Sequence, residues 1–286
     1  MATPLSASTA LSAFKAEGLD VREVRLWATH NRNHVGAWGP VNGVMIHHTG
    51  PYSSTSGMVA LCYNGRDDLP GPLCHGVIDK TGAVHLVGWG RANHAGRGDS
   101  DVLDAVKAET KLPVDDQGNA DGNPHFYGFE LINAGNGKDP WPEAQVEAAA
   151  RAAAALCRKH GWTAESVIGH KEWQPGKIDP TFDMGDFRAR VAVLLKDDSP
   201  AEPAKPSPPK FPGRNAFGPG KSNASILLLG QQLVRRGFGK HYRVGPSRDW
   251  GEADRLNVVA FQRAQGWTGS NADGYPGPET WRRLFS

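Results

Sequence analysis

Two histidines stand where the chain is built to deliver a polar side chain to a fixed place. His47 directly follows the apolar run Gly43-Val44-Met45-Ile46, as at the end of a buried strand. His170 follows a second short run, Ser166-Val167-Ile168-Gly169, and opens the loop His170-Lys171-Glu172-Trp173-Gln174-Pro175-Gly176-Lys177-Ile178-Asp179-Pro180. Pro175, Gly176 and Pro180 limit the conformations of that loop, which is suited to bring His170 and Asp179 to one ion. Catalytic zinc takes three imidazole or carboxylate ligands and keeps a fourth position for water. Residue type alone selects none of these, because the chain has 11 histidines. The placement of each does.

The surrounding elements follow from apolar periodicity. Val77-Ile78 and Ala83 to Val87 flank Asp79-Lys80-Thr81-Gly82, whose residues suit a hairpin turn, and Tyr127 to Ile132 makes a further strand. Glu143 to His160 places Val146, Ala149, Ala150, Ala153, Leu156 and Cys157 on one face of a helix that ends at Gly161. A second helix, from Met184 to Leu195, buries Phe187, Val191 and Leu194. In residues 1–40, Leu11 and Phe14 suit a short helix, and Trp27 to Trp38 is polar and irregular. The pattern implies an α/β fold with a central sheet flanked by helices.

Taken together, these segments resemble the type 2 N-acetylmuramoyl-L-alanine amidases, which share a fold with the peptidoglycan recognition proteins. The resemblance runs from about Val41 to Leu195. Val-Met-Ile-His-His-Thr is similar to the family's first metal strand, and Gly-His-Lys-Glu-Trp-Gln-Pro-Gly-Lys-Ile-Asp-Pro to its second metal segment. It implies a mixed sheet and a Zn2+ ion held by His47, His170 and Asp179. It further implies Glu130, in Gly128-Phe129-Glu130-Leu131, as general base and Lys177 as the oxyanion-stabilising cation. His94, in Asn93-His94-Ala95-Gly96, His75 and Trp173 match segments beside the substrate. Cys74 stands where many members have tyrosine, which places more of the base function on Glu130. A fourth thiolate ligand from Cys74 would close the position that water needs. By the two-residue period of a strand, His48 faces away from His47 and is read as structural.

At 286 residues the chain is long enough for two domains. Six of the thirteen residues from Pro200 to Pro212 are proline, a composition that favours extended backbone and buries no core. The expected division is a catalytic domain at 1–197, a linker at 198–213 and a small three-helix domain at 214–286. In the last, Leu228, Leu229 and Leu233 are expected to face inward on a first helix from Ile226 to Arg236, and a third helix begins near Pro278. Asp273-Gly274-Tyr275-Pro276-Gly277-Pro278-Glu279-Thr280-Trp281 resembles the peptidoglycan-binding domain attached to many wall hydrolases.

Counts of 11 Lys+Arg against 5 Asp+Glu make residues 214–286 basic, net +6, whereas residues 1–213 carry 21 against 25, net −4. A basic module suits an anionic polymer. Three widely spaced cysteines without a C-x-x-C pair argue against a disulfide framework, and no apolar run is long enough for a membrane span. The N-terminus lacks the basic and apolar regions of a signal peptide. The resemblance thus implies a bacteriophage endolysin: a monomer held in the host bacterial cytoplasm until released to the wall. Its expected partner is bacterial peptidoglycan, with no nucleic acid and no stable membrane association. The nearest rivals are a non-catalytic wall receptor, which typically lacks a ligand, and a zinc peptidase, whose His and Asp spacing is absent.

Overall fold

A computed structural model of the chain describes residues 2–52, 54–196 and 209–285. It divides into two compact units, Met1–Pro206 and Ser207–Ser286. Residues 198–208 of the expected linker lie outside the described residues.

The first unit is built on strands β1 (Val21–Glu23), β2 (Gly43–His48), β3 (Gly76–Ile78), β4 (Val84–Leu86), β5 (Phe126–Leu131) and β6 (Val167–Gly169). They form one mixed sheet in the order β1-β4-β3-β5-β2-β6. β3 and β4 are the antiparallel hairpin expected around Asp79–Gly82, and every other pairing is parallel. Parallel strands are covered on both faces, which is why β2 reads as a continuous apolar run.

The two faces carry different helices, and the two-residue period decides which side chain meets which. Val44, Ile46, Tyr127, Phe129 and Leu131 point to one face and pack with α1 (Ala7–Ala16), α4 (Glu143–His160) and α5 (Met184–Lys196). Met45, Phe126 and Ile168 point to the other, against Val102, Leu103 and Val106 of α3 (Ser100–Ala108). On that same face Val77 and Val87 meet Met58, Val59 and Cys62 of α2 (Thr55–Asn64). His47, two residues after Met45, and Glu130, four after Phe126, therefore open onto the face between these clusters.

Four elements differ from the sequence reading. β1 is a three-residue edge strand paired to β4, too short to show periodicity. α2 contains Gly57 and carries little amphipathic pattern; its start is marked by Ser54, whose hydroxyl accepts from Gly57 N–H at 3.0 Å. α3 is capped by Asp99, which accepts from Asp101 N–H at 2.7 Å. α4 is also buried more widely than one face, from Ala148 to Cys157 apart from Arg151, because it lies among the sheet, α1 and α5.

The second unit holds α6 (Ala224–Arg235), α7 (Glu252–Ala264) and α8 (Pro278–Phe285). Ile226, Leu229, Leu233, Val258, Phe261, Trp281 and Leu284 are its core. Leu228, expected to face inward, is 38% exposed. Ile226, Leu229 and Leu233 follow the i, i+3, i+7 stripe, and Leu228 falls beside it. Trp281 in the core and Asp273 accepting the Tyr275 N–H at 2.9 Å account for much of the Asp-Gly motif as turn and packing chemistry.

Candidate active site

At the C-terminal end of β2, three ligand atoms converge. His47 Nδ1 lies 3.1 Å from His170 Nδ1 and 3.3 Å from Asp179 Oδ2, and His170 Nδ1 lies 3.1 Å from the same Asp179 oxygen. Among the described residues these form a group of metal-ligating type, all ligand atoms within 4.8 Å of one another. A tetrahedral ion with N and O ligands at about 2.0–2.1 Å requires ligand atoms about 3.3 Å apart. The observed triangle nearly meets that size, and its neutral-imidazole and carboxylate donors are those zinc takes. The residues fit the ion.

Each ligand is held by the fold. β6 pairs in register with β2, Gly169 opposite Ile46, so His170 emerges next to His47. The loop that follows is closed by Lys171 N–H donating to the Asp179 carbonyl at 2.7 Å, which sets Asp179 beside His170. Glu172 anchors the same loop: its carboxylate accepts from Gly169 N–H at 2.9 Å and from both terminal nitrogens of Arg188 on α5, at 2.8 and 2.9 Å. Burial pushes His47 down to about 4, so the ring is neutral and able to ligate at neutral pH.

Glu130 stands directly opposite His47 in the β2–β5 register. Its Oε2 is shut off from solvent and has no hydrogen-bond partner among the described residues. Burial, reinforced by the Asp179 charge and opposed by Lys177, pushes its carboxyl up to about 8. Lys177 is exposed on the ligand loop, close enough for its charge to act on both Glu130 and His47.

The remaining expected residues are more deeply placed. His94 is buried; its Nδ1 lies 3.1 Å from His47 Nε2 and its Nε2 3.1 Å from the Phe126 carbonyl. His75 is fully buried, with Nε2 2.9 Å from the Gly90 carbonyl and Nδ1 accepting from Gly128 N–H at 2.8 Å. Both its nitrogens are occupied. Trp173 is fully buried and donates to the Ala95 carbonyl at 2.8 Å; Gly98 and Gly122 leave the space its indole fills. Cys74 lies in the apolar cluster with Cys62 and outside the ligand triangle; burial holds its thiol well above the usual range. His48 lies near Trp141, at 6.3 Å between ring centroids. Gln174, not singled out by sequence reasoning, has Oε1 3.1 Å from His170 Nε2. Its signal was weak: it is one polar residue in a polar loop.

In the second unit a separate concavity of about 550 Å³ is lined by Trp267, Tyr275, Asp273, Asn271 and Glu279 among others. It combines aromatic surface with amide and carboxylate groups.

A family model, Amidase_2, described as N-acetylmuramoyl-L-alanine amidase, matches residues 37–182, which is 146 of the 286 residues. Solved structures that align with the chain include "Endolysine N-acetylmuramoyl-L-alanine amidase LysCS" from Clostridium intestinale, at 17% identity, 60% of this chain, 94% of that chain and TM-score 0.40. A mutant endolysin from Bacillus subtilis aligns at 16% identity over 60% of this chain and 99% of that one, TM-score 0.41. The Staphylococcus aureus hydrolase AmiA aligns at 13% identity over 68% and 93%, TM-score 0.43. Among curated proteins none matches.

Proposed function

The chain belongs to the N-acetylmuramoyl-L-alanine amidase family, and from that premise we propose that it is a zinc-dependent endolysin-like enzyme whose metal is held by His47, His170 and Asp179. The bond cut is the amide between the lactyl group of N-acetylmuramic acid and L-alanine of the stem peptide. The observation that supports this most directly is the His47–His170–Asp179 triangle beside an in-register glutamate whose Oε2 has no partner among the described residues.

Zinc bound there would polarise the scissile carbonyl and lower the pKa of water. Glu130 takes the proton of the attacking water on its carboxylate and passes it to the leaving amine. As the C–N bond breaks and the new C–O bond forms, the products are a lactyl carboxylate and a free alanine amine. A carboxyl pushed up to about 8 favours proton uptake, and a divalent cation nearby would draw that value back towards neutrality. Lys177 is the charge available to offset the negative charge building on the amide oxygen.

Residues 214–286, which make up most of the second unit and follow a proline-rich linker at 198–213, serve as the wall-binding module. The aromatic and polar concavity around Trp267 and Tyr275 supports that reading. Tethering a weak wall binder to the catalytic domain raises the local concentration of the enzyme on its polymer. The chain acts as a monomer on bacterial peptidoglycan after release from the host cytoplasm. Among the described residues no helix is long and apolar enough to cross a membrane.

Digestion of purified peptidoglycan with and without a chelator, followed by mass spectrometry, tests the reaction. Stem peptides with a free N-terminal alanine, lost on chelation, are expected; intact lactyl-alanine linkages in every product would sink it.

A further inference from the structure

We propose that His94 and Gln174 are positioning residues which fix the tautomers of the two ligand histidines, so that both present a bare Nδ1 to the ion. This rests on reading His47, His170 and Asp179 as the metal ligands.

The chain of hydrogen bonds starts at a group that can only accept. The Phe126 carbonyl lies 3.1 Å from His94 Nε2, so that nitrogen must carry the hydrogen. In a neutral, buried ring the other nitrogen, Nδ1, is then a lone pair. It faces His47 Nε2 at 3.1 Å, which must therefore be the donor. His47 Nδ1 is left bare, and it is the atom in the ligand triangle. The second histidine is set more simply. Gln174 Oε1 accepts from His170 Nε2 at 3.1 Å, leaving His170 Nδ1 bare towards the same centre.

The opposite tautomer of His47 would place a hydrogen inside the triangle and set its Nε2 lone pair against that of His94. The relay prevents both. Two imidazole lone pairs and a carboxylate then converge without a proton among them, an arrangement that repels itself until a cation enters.

The fold makes room for each support. The His94 ring lies over Gly128 on β5, where a Cβ would stand 2.4 Å from His94 Nδ1. Asn123 Oδ1 accepts the backbone N–H of His94 at 2.9 Å and of Ala95 at 3.0 Å, fixing the segment in place. Gly96, two residues on, has φ +57°, and a Cβ there would come within 3.0 Å of Gln174 Oε1. The Asn93–Gly96 segment thus serves both ligand histidines, one through a side chain and the other by lacking one. The glycine of Gly-Phe-Glu-Leu leaves the space that the His94 ring fills.

Two measurements test this. In metal-free wild-type protein, nitrogen-15 NMR of the histidines is expected to show His47 as the Nε2–H tautomer; the Nδ1–H form would overturn the relay. Zinc affinity, measured by competition with a chromophoric chelator, is expected to fall about 10- to 100-fold in His94→Phe and in Gln174→Leu, and to return to within about threefold of wild type in His94→Asn, whose amide oxygen replaces the Nδ1 acceptor. Wild-type affinity in both His94→Phe and Gln174→Leu would overturn the proposal. If the wild-type protein binds no zinc, the metal reading fails, and the NMR result on the metal-free protein still decides the tautomers.

Discussion

His47 and Glu130 lie directly opposite one another on neighbouring parallel strands, in one register row and on the same face of the sheet. One side chain brings a ligand nitrogen to the triangle and the other an unpartnered carboxylate oxygen, at a separation fixed by the strand spacing of about 4.8 Å. Ladder hydrogen bonds, rather than a flexible loop, set the distance between the His47 ring and the Glu130 carboxyl.

Glu130→Ala should therefore separate chemistry from metal binding. Turnover is expected to fall about 10²- to 10⁴-fold, the range of a lost general base, while zinc content by atomic absorption stays at the wild-type level. Loss of the metal together with activity would make Glu130 a ligand or a structural residue instead.

Removing a ligand should do the reverse. In His170→Ala or Asp179→Ala two donors remain, and zinc should no longer raise the thermal midpoint of the protein. For the wild type, free zinc at 100 times its dissociation constant adds about 2.7 kcal/mol to stability, readable as an upward shift in a melting scan. An equal shift in the variants would remove these residues from the metal site.

Gly128→Ala tests the packing beneath His94. The new methyl group would meet the ring at 2.4 Å, so the ring must move and its contact with His47 lengthen. Zinc affinity is expected to drop by about tenfold or more with the circular dichroism spectrum retained. Unchanged affinity would show that His94 does not hold His47 in place.

His75 predicts a pH dependence of stability. Burial pushes it down to about 4, below its ordinary value near 6.5. The unfolded chain thus binds a proton that the folded one refuses between those values. Its contribution is complete above pH 6.5 and is lost as the pH falls towards 4, amounting to about 3 kcal/mol at most. His75→Asn keeps an acceptor for the Gly128 N–H but cannot titrate. Urea denaturation of the metal-free proteins at pH 7 and pH 4.5 should show a smaller acid loss in the variant; equal losses would rule out this contribution.

Trp267→Ala addresses the second unit. Binding to insoluble peptidoglycan in a pull-down should weaken, and cleavage of soluble muropeptides should stay at the wild-type rate. Full retention on the wall would place the binding surface away from the concavity around Trp267 and Tyr275.

Much of the fold and of the candidate site can be read along the chain, because the informative residues sit at local landmarks. His47 closes an apolar strand, Glu130 interrupts another, and His170 and Asp179 bracket a loop stiffened by Pro175 and Pro180. The long helix from Glu143 and the Asp79–Gly82 hairpin carry their own periodicity and turn residues. Elements without such marks were missed: β1 is too short, and α2 carries little amphipathic pattern.

What stands behind the ligands was decided only in three dimensions. His94 is 47 residues from the histidine it contacts, and the two ligand histidines are 123 residues apart. Nothing in local periodicity distinguishes a histidine that meets substrate from one that holds another histidine. His75 and Trp173, which the resemblance places beside the substrate, are both fully buried, and their distance in sequence from the surfaces that cover them hides this from local patterning. The types and spacing of residues along the chain determine which groups can reach a metal. Which of them converge on one point, which face solvent and which are sealed in between depends on how distant strands and loops exclude water from one another.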